Sequence, residues 1–274
     1  MYKLNYLSAI HFSGADAASF LHSQLSADIL GLDNGGATFA CYCEPKGRVL
    51  ALLLVFKSNE DFYVILSDDL AITVSERLKI YRMRSKVEFD IVAHHSILGY
   101  AGTQAPGISD ESATIIPVPG SHHRIVLVPG EKDENERDDR LQDWRRSELS
   151  LGIAWLNADT SGQFLPQMLG YEKLGAVNYR KGCYPGQEIV ARTHYLGKVK
   201  RHPRVLNCQL QDCPKPMEKI RIFDDSSDHD AVVADCVQGN NGAVCLFVVT
   251  RMDPDLIARK IQYKDVVASL DQIL

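Results

Sequence analysis

The spacing of hydrophobic residues changes along the chain, and each change marks an element. From Ser13 onward the apolar positions Ala17, Ala18, Phe20, Leu21, Leu25 and Ile29 recur at helical intervals, with Ser13 or Asp16 placed to start the helix. This predicts an amphipathic helix within 11–35, closed by the turn chemistry of Gly31 and Asn34-Gly35-Gly36. Residues 38–43 alternate like a strand, Glu44-Pro45-Lys46-Gly47 reads as a turn, and 48–56 and 62–66 read as strands paired across Ser58-Asn59-Glu60-Asp61. Helical spacing returns over 69–84, with Leu70, Val74, Leu78 and Tyr81 on one stripe, and 87–93 is again a strand. Strands interleaved with helices in this order imply an α+β sheet with helices packed on it.

The second half reads differently. Residues 103–120 are rich in Pro, Gly, Ser and Thr and suit an irregular connection, and 125–128 is a short strand. The charge run 131–140 reads as the solvated start of a helix continuing to Glu148. Beyond residue 199 short apolar segments (204–210, 220–223, 231–237, 242–249, 260–266) are separated by Asp, Gly and Asn clusters. That spacing predicts a small antiparallel barrel, with a boundary near residue 200.

A chain of 274 residues, 45% of them hydrophobic, can bury a substantial core. A net charge of -5 argues against a general nucleic-acid coat protein. The N-terminus lacks the apolar core of a signal peptide, and the longest apolar stretch, 49–56, is too short to span a bilayer, so a cytoplasmic location is expected. Seven cysteines without a secretory signal make a disulfide framework unexpected. Cys41 and Cys43 would share one strand face, and Cys208 and Cys213 have four residues between them. Neither pair stands beside a second at zinc-finger spacing, so no metal site is expected.

The most informative segment is Lys181-Gly182-Cys183-Tyr184-Pro185-Gly186-Gln187-Glu188, closed by Arg192. Glycines on both sides let the chain present the Cys183 thiol in a turn, and a nearby cation such as Lys181 favours the thiolate, the reactive form. A buried cysteine in an ordinary turn explains less of this residue choice.

This segment, preceded by SGQFLPQ at 161–167, resembles the YgfZ family: folate-binding proteins of iron–sulfur cluster maintenance, also described as tRNA-modifying proteins, and distant relatives of the T-protein (aminomethyltransferase) of glycine cleavage. SGADAASFLHSQLSADI at 13–29, EPKGRV at 44–49 and LGKVKRH at 196–202 resemble the family as well. The resemblance implies a T-protein-like α+β fold around a central folate pocket. Its parts would be an N-terminal folate-binding region (1–100), a second, ferredoxin-like α+β region carrying the cysteine motif (101–200) and a C-terminal antiparallel β-barrel (201–274).

The resemblance also implies a site. The functional cysteine and lysine fall on Cys183 and Lys181, and a folate-associated tryptophan on Trp144, whose flat indole suits a pterin ring. Gln24, Asp28, Gln187, Glu188 and Arg192 complete the expected folate- and motif-binding set, with tetrahydrofolate or a related folate as cofactor. T-protein activity needs aspartates where this chain has Ala51 and Leu52, and an alkyl group neither accepts nor orients a proton. The expected role is therefore an accessory factor for iron–sulfur enzymes or their assembly proteins, rather than an aminomethyltransferase. A residual one-carbon enzyme is the second reading. A third is an RNA-binding module using Arg192, His194, Tyr195, Lys198, Lys200, Arg201, His202 and Arg204, although the net acidity weighs against direct tRNA binding.

Overall fold

A computed structural model describes residues 1–92, 94–102, 112–130 and 140–270; residues 131–139 of the charge run and 103–111 of the expected connection lie outside them, and Thr114–Pro117 in the rest of that connection is a strand. Within these residues the chain forms three antiparallel sheets. The first has the strand order Ala37–Cys43, Val49–Ser58, Asp61–Ser67, Leu7–Ser13, Glu88–Ile91. Leu7–Ser13 is a strand that the residue pattern does not predict, as are Tyr2–Lys3, His95–Ala101 and Thr114–Pro117. Leu7–Ser13 lies inside the sheet, with Leu7, Ala9, Ile10 and Phe12 all buried, so burial of adjacent residues blurs its alternation.

The helix expected within 11–35 is only α1, Ala17–Gln24. Leu25 is extended and bridges Tyr42, so Leu25 and Ile29 leave the helix despite their spacing. Hydrogen bonding from the sheet overrides the local period. The Ser26 amide donates to the Cys41 carbonyl at 3.1 Å, and the Ser26 hydroxyl accepts from the Cys41 amide at 2.8 Å. The same hydroxyl donates to the Ala176 carbonyl, and the Asn178 amide donates to the Ser26 carbonyl at 2.8 Å. One fully buried serine thus pins the end of α1, the strand Ala37–Cys43 and the segment leading to the cysteine motif.

Helix α2, Asp68–Arg82, buries Leu70, Ala71, Val74 and Leu78 on the first sheet. Asp68 and Asp69 in its first turn and Lys79 and Arg82 in its last complement the helix dipole. The second sheet has the order Tyr2–Lys3, His95–Ala101, His123–Pro129, Thr114–Pro117. It recruits the chain start, pairing Tyr2 with Gly99. Helix α3, Leu141–Ser150, lies between this sheet and the third.

The third sheet runs His202–Gln209, Ala243–Thr250, Asp228–Gln238, Lys219–Phe223, Lys260–Tyr263, Val266–Ser269. An antiparallel bridge between Cys208 and Leu270 closes it into the expected barrel. The segment 260–266, expected as one strand, is a hairpin that turns at Lys264, where φ is 54°. Cys213 and Cys236 are joined by a disulfide with Cα atoms 5.9 Å apart, a correction to the expectation of no disulfides. An odd cysteine count rules out complete pairing, not a single bridge whose partners folding brings together.

A β-bulge in Asp228–Gln238 governs the site. Val233 pairs with Val248, yet Asp235 pairs with Phe247, so Ala234 is an extra residue in the strand. Val233 and Val248 face the barrel interior, whereas Phe247 packs with the main core. Strict alternation would send Asp235 inward with Val233; the bulge turns it outward, toward α3.

Candidate functional site

A cavity of about 450 Å³ opens where the three sheets meet. Its lining includes Asn5, Tyr6, Asp68 and Asp69 from the first region, Arg145 of α3, Trp155, Asn157 and Asp235 of the barrel. The Arg145 guanidinium donates to both Asp235 oxygens, at 2.8 and 2.6 Å, and lies 4.5 Å from the centre of the Tyr6 ring. The Tyr6 hydroxyl donates to one Glu148 oxygen at 2.6 Å, and the Trp155 indole N–H donates to the other at 2.9 Å.

Burial pushes the Glu148 carboxyl upward, against the pull of Arg145 and its hydrogen bonds. Asp235 moves in the same direction for the same reason, opposed by Arg145 and by the Cys236 amide. Burial disfavours the charge on Arg145, yet Asp235 and Glu148 together hold its pKa above the ordinary value. A carboxyl raised in the folded state supports folding below its unfolded value and loses that support as pH rises through the raised value. Stability is therefore expected to fall as pH climbs from about 4.5, each tenfold difference in proton affinity between the folded and unfolded chain being worth about 1.4 kcal/mol. Urea midpoints across pH 4.5–8 will test this; Glu148→Gln should have a lower midpoint and a flatter profile than the wild type.

Trp144 does not face this cavity. Its ring lies against Gly99, where a Cβ would come within 2.9 Å of it, and beside His123 at 4.5 Å and Tyr2 at 5.6 Å. Its N–H donates to the Tyr6 hydroxyl at 3.1 Å. Only 2% exposed, Trp144 packs as a core anchor behind Tyr6 and is not part of the cavity lining. The indole at the cavity is Trp155, which sequence reading passed over because Ile153-Ala154-Trp155-Leu156 looks like any apolar run. A charge inside the apolar run 231–237 was a readable signal for Asp235.

The cysteine motif forms a second site, which shares no residue with the cavity lining. Gly186, with φ at 82°, starts helix α4, Gln187–Tyr195. A Cβ on Gly186 would come within 2.4 Å of the Glu44 carbonyl oxygen and 2.7 Å of the Gly47 Cα. The turns 44–47 and 184–187 thus pack backbone against backbone, which requires glycine in both. Lys181 is half-buried, and its ammonium donates to the His22 and Leu25 carbonyls at the end of α1. A cation suits that end of a helix. Burial lowers the Lys181 pKa to about 8, against the opposing effect of Asp28 and Cys183. Cys183 itself is exposed, whereas Cys41, Cys43, Cys208 and Cys245 are buried.

No family model matches the chain. An uncharacterised protein of Haemophilus influenzae is 32% identical over 211 residues, 76% of this chain and 74% of that one. The tRNA-modifying protein YgfZ of Klebsiella pneumoniae is 28% identical over 275 residues, 90% of this chain and 84% of that one. The protein of the same name from Escherichia coli O157:H7 is 26% identical over the same shares. The chain belongs to the YgfZ family. Among solved structures, aminomethyltransferase T of the glycine cleavage system from Bartonella henselae matches with a TM-score of 0.72. It covers 98% of this chain and 83% of that chain at 15% identity, and so establishes the T-protein fold.

In this YgfZ-family chain the expected site residues divide into groups. Lys181, Cys183 and Asp28 come together at the end of α1. Gln24 is 9% exposed on α1 and donates to the Ser23 hydroxyl at 3.1 Å, while its buried side-chain oxygen has no hydrogen-bond partner among the described residues. Gln187 opens α4, and Glu188 and Arg192 are exposed on it, with no ion pair joining them among the described residues. None of Gln24, Asp28, Gln187, Glu188 and Arg192 lines the cavity. The 161–167 segment is a splice: the Val49 amide donates to the Phe164 carbonyl and the Gly162 amide to the Val49 carbonyl, both at 2.8 Å. Gln167 donates to the Val190 carbonyl of α4 at 3.0 Å. Ala51 and Leu52 are both buried, at 1% exposure. No helix among the described residues is long and apolar enough to cross a membrane.

Proposed function

We propose that the protein is a folate-binding accessory factor for iron–sulfur enzymes, including those that modify tRNA, and that Cys183 is its reacting thiol. The observation that carries the folate part is the composition of the cavity. Its carboxylates at Asp68, Asp69 and Asp235 can accept hydrogen bonds from the N–H-rich edge of a pterin, and Trp155 and Tyr6 offer aromatic walls. A volume of about 450 Å³ is in the range of small-molecule sites. Bound tetrahydrofolate would supply a reduced, one-carbon-carrying ring system. Tyr6, Trp155, Asp68, Asp69 and Asp235 would hold it, with Arg145 keeping Asp235 in place. Alkyl groups at Ala51 and Leu52 leave the aminomethyl chemistry without its acid–base groups, which favours an accessory role.

The chain has two tryptophans, so its fluorescence can locate the ligand. Tetrahydrofolate is expected to quench the emission of the wild type and of Trp144→Phe. Trp155→Phe should lose most of that quenching and bind several-fold more weakly. Quenching that disappears with Trp144 instead would move the pterin away from the cavity. In cells, Cys183→Ser should lower the activity of iron–sulfur client enzymes; unchanged activity would remove the thiol from the function. Tyr195, 64% exposed near exposed Arg192, Lys198 and Lys200, supports an RNA-docking role as second reading. Steeply salt-dependent tRNA binding, lost in Tyr195→Ala, would favour it.

A further inference from the structure

The ring of His22, on the last turn of α1, stands between the motif and a carboxylate. Its Nδ1 is 3.3 Å from an oxygen of Asp28. Its Nε2 is 3.9 Å from where a Cβ would sit on Gly182, the residue before Cys183. Lys181, two residues before the cysteine, is bonded to the carbonyl of His22 itself. The motif is therefore docked on the turn of helix that carries this imidazole, by a contact that fixes their relative positions. Nδ1 is buried and makes no hydrogen bond among the described residues, so its contact with Asp28 is one of charge. The contact gains most when the ring is charged.

Resting on the reading of Cys183 as the reacting thiol, we infer that His22 is its base, with Asp28 and Lys181 as positioning residues. The proton leaves Sγ for Nε2 of His22, and the charge gained by the ring faces the Asp28 carboxylate, 3.3 Å from Nδ1. The products are a thiolate near the Lys181 ammonium and an imidazolium beside the Asp28 carboxylate. No other bond changes in this step, and a thiol served by a base that a carboxylate faces follows the logic of activated nucleophiles. The charged groups around the ring are Asp28, from the loop after α1, and Lys181, from the motif, which itself interacts with Cys183. Burial, together with Lys181, lowers the His22 pKa against the pull of Asp28, so the resting ring is neutral and can accept a proton. A lone exposed thiol needs no such neighbour, and sequence spacing could not have paired residues 22 and 183.

The test is the rate of alkylation of the folded protein by iodoacetamide, read at Cys183 by mass spectrometry between pH 6 and 10. In this reaction a C–S bond forms and iodide leaves, so the rate follows the thiolate. The other free cysteines are buried. His22→Gln is expected to react about tenfold more slowly than the wild type at pH 7, with the deficit closing toward pH 10, where hydroxide ionises the thiol unaided. Asp28→Asn keeps an acceptor for the Gly31 amide, which Asp28 now binds at 3.2 Å, and should show a smaller deficit of the same shape. It also serves if His22→Gln fails to fold. Wild-type profiles in the folded variants would overturn the role of His22. If Cys183→Ser were nevertheless defective in cells, the thiol's part in the function would stand without this base.

Discussion

Gly186→Ala is expected to cost about 4 kcal/mol and to detach the cysteine motif from the first sheet. About 1–2 kcal/mol comes from placing a side chain at a left-handed φ of 82°. About 1–3 kcal/mol more comes from overpacking, since the new methyl would lie 2.4 Å from the Glu44 carbonyl oxygen and 2.7 Å from the Gly47 Cα. Both obstacles are backbone, so no side chain can rotate away. Gly35→Ala is the control. Gly35 has a similar φ of 77° with nothing within 4 Å of the added carbon, so it should lose only the conformational part, about 1–2 kcal/mol. Denaturant unfolding of both variants separates the two contributions. Equal losses would mean that the contact between the two turns yields without cost.

Arg145→Met is the second large effect. It strands the buried carboxylates of Asp235 and Glu148, 8% and 2% exposed, and such uncompensated charge typically costs about 3–5 kcal/mol. The double variant Arg145→Met/Asp235→Leu should recover much of that loss, because an apolar pair of similar volume removes the stranded charge on Asp235. Unfolding free energies of the two single variants and the double one give the coupling directly. Folate binding should follow a different order: the double variant regains stability but stays weak in binding, having lost an acceptor from the cavity. Recovery of both would make the ion pair a matter of stability alone.

Much of the fold was legible because its signals are local. The alternation at 38–43, the continuous apolar run into Val49–Ser58 and the evenly spaced barrel segments gave strands close to those observed. The failures arose where distant residues decide. Leu25 and Ile29 keep helical spacing, but Ser26 is claimed by Cys41, Ala176 and Asn178. The site divides the same way. Lys181 and Cys183 stand out as a motif, whereas His22, Trp155 and Arg145 look ordinary until the chain is folded. A tryptophan on an amphipathic helix does not announce which side it faces; for Trp144, Gly99, more than 40 residues earlier, decides it by leaving room for the ring.

The contacts that build the cysteine site also set when it can exist. Lys181 reaches carbonyls 159 and 156 residues earlier in the chain, and Gly186 seats on Gly47. Loops of that length close late and slowly, after the local sheets that receive them. On a growing chain the first sheet can form with its docking surface at α1 and Gly47 still bare, and the thiol gains its surroundings only once the motif has been synthesised and docked. A peptide spanning 181–192 would carry every residue of the motif without the lysine's partners. Any reactivity it showed would be that of an ordinary cysteine.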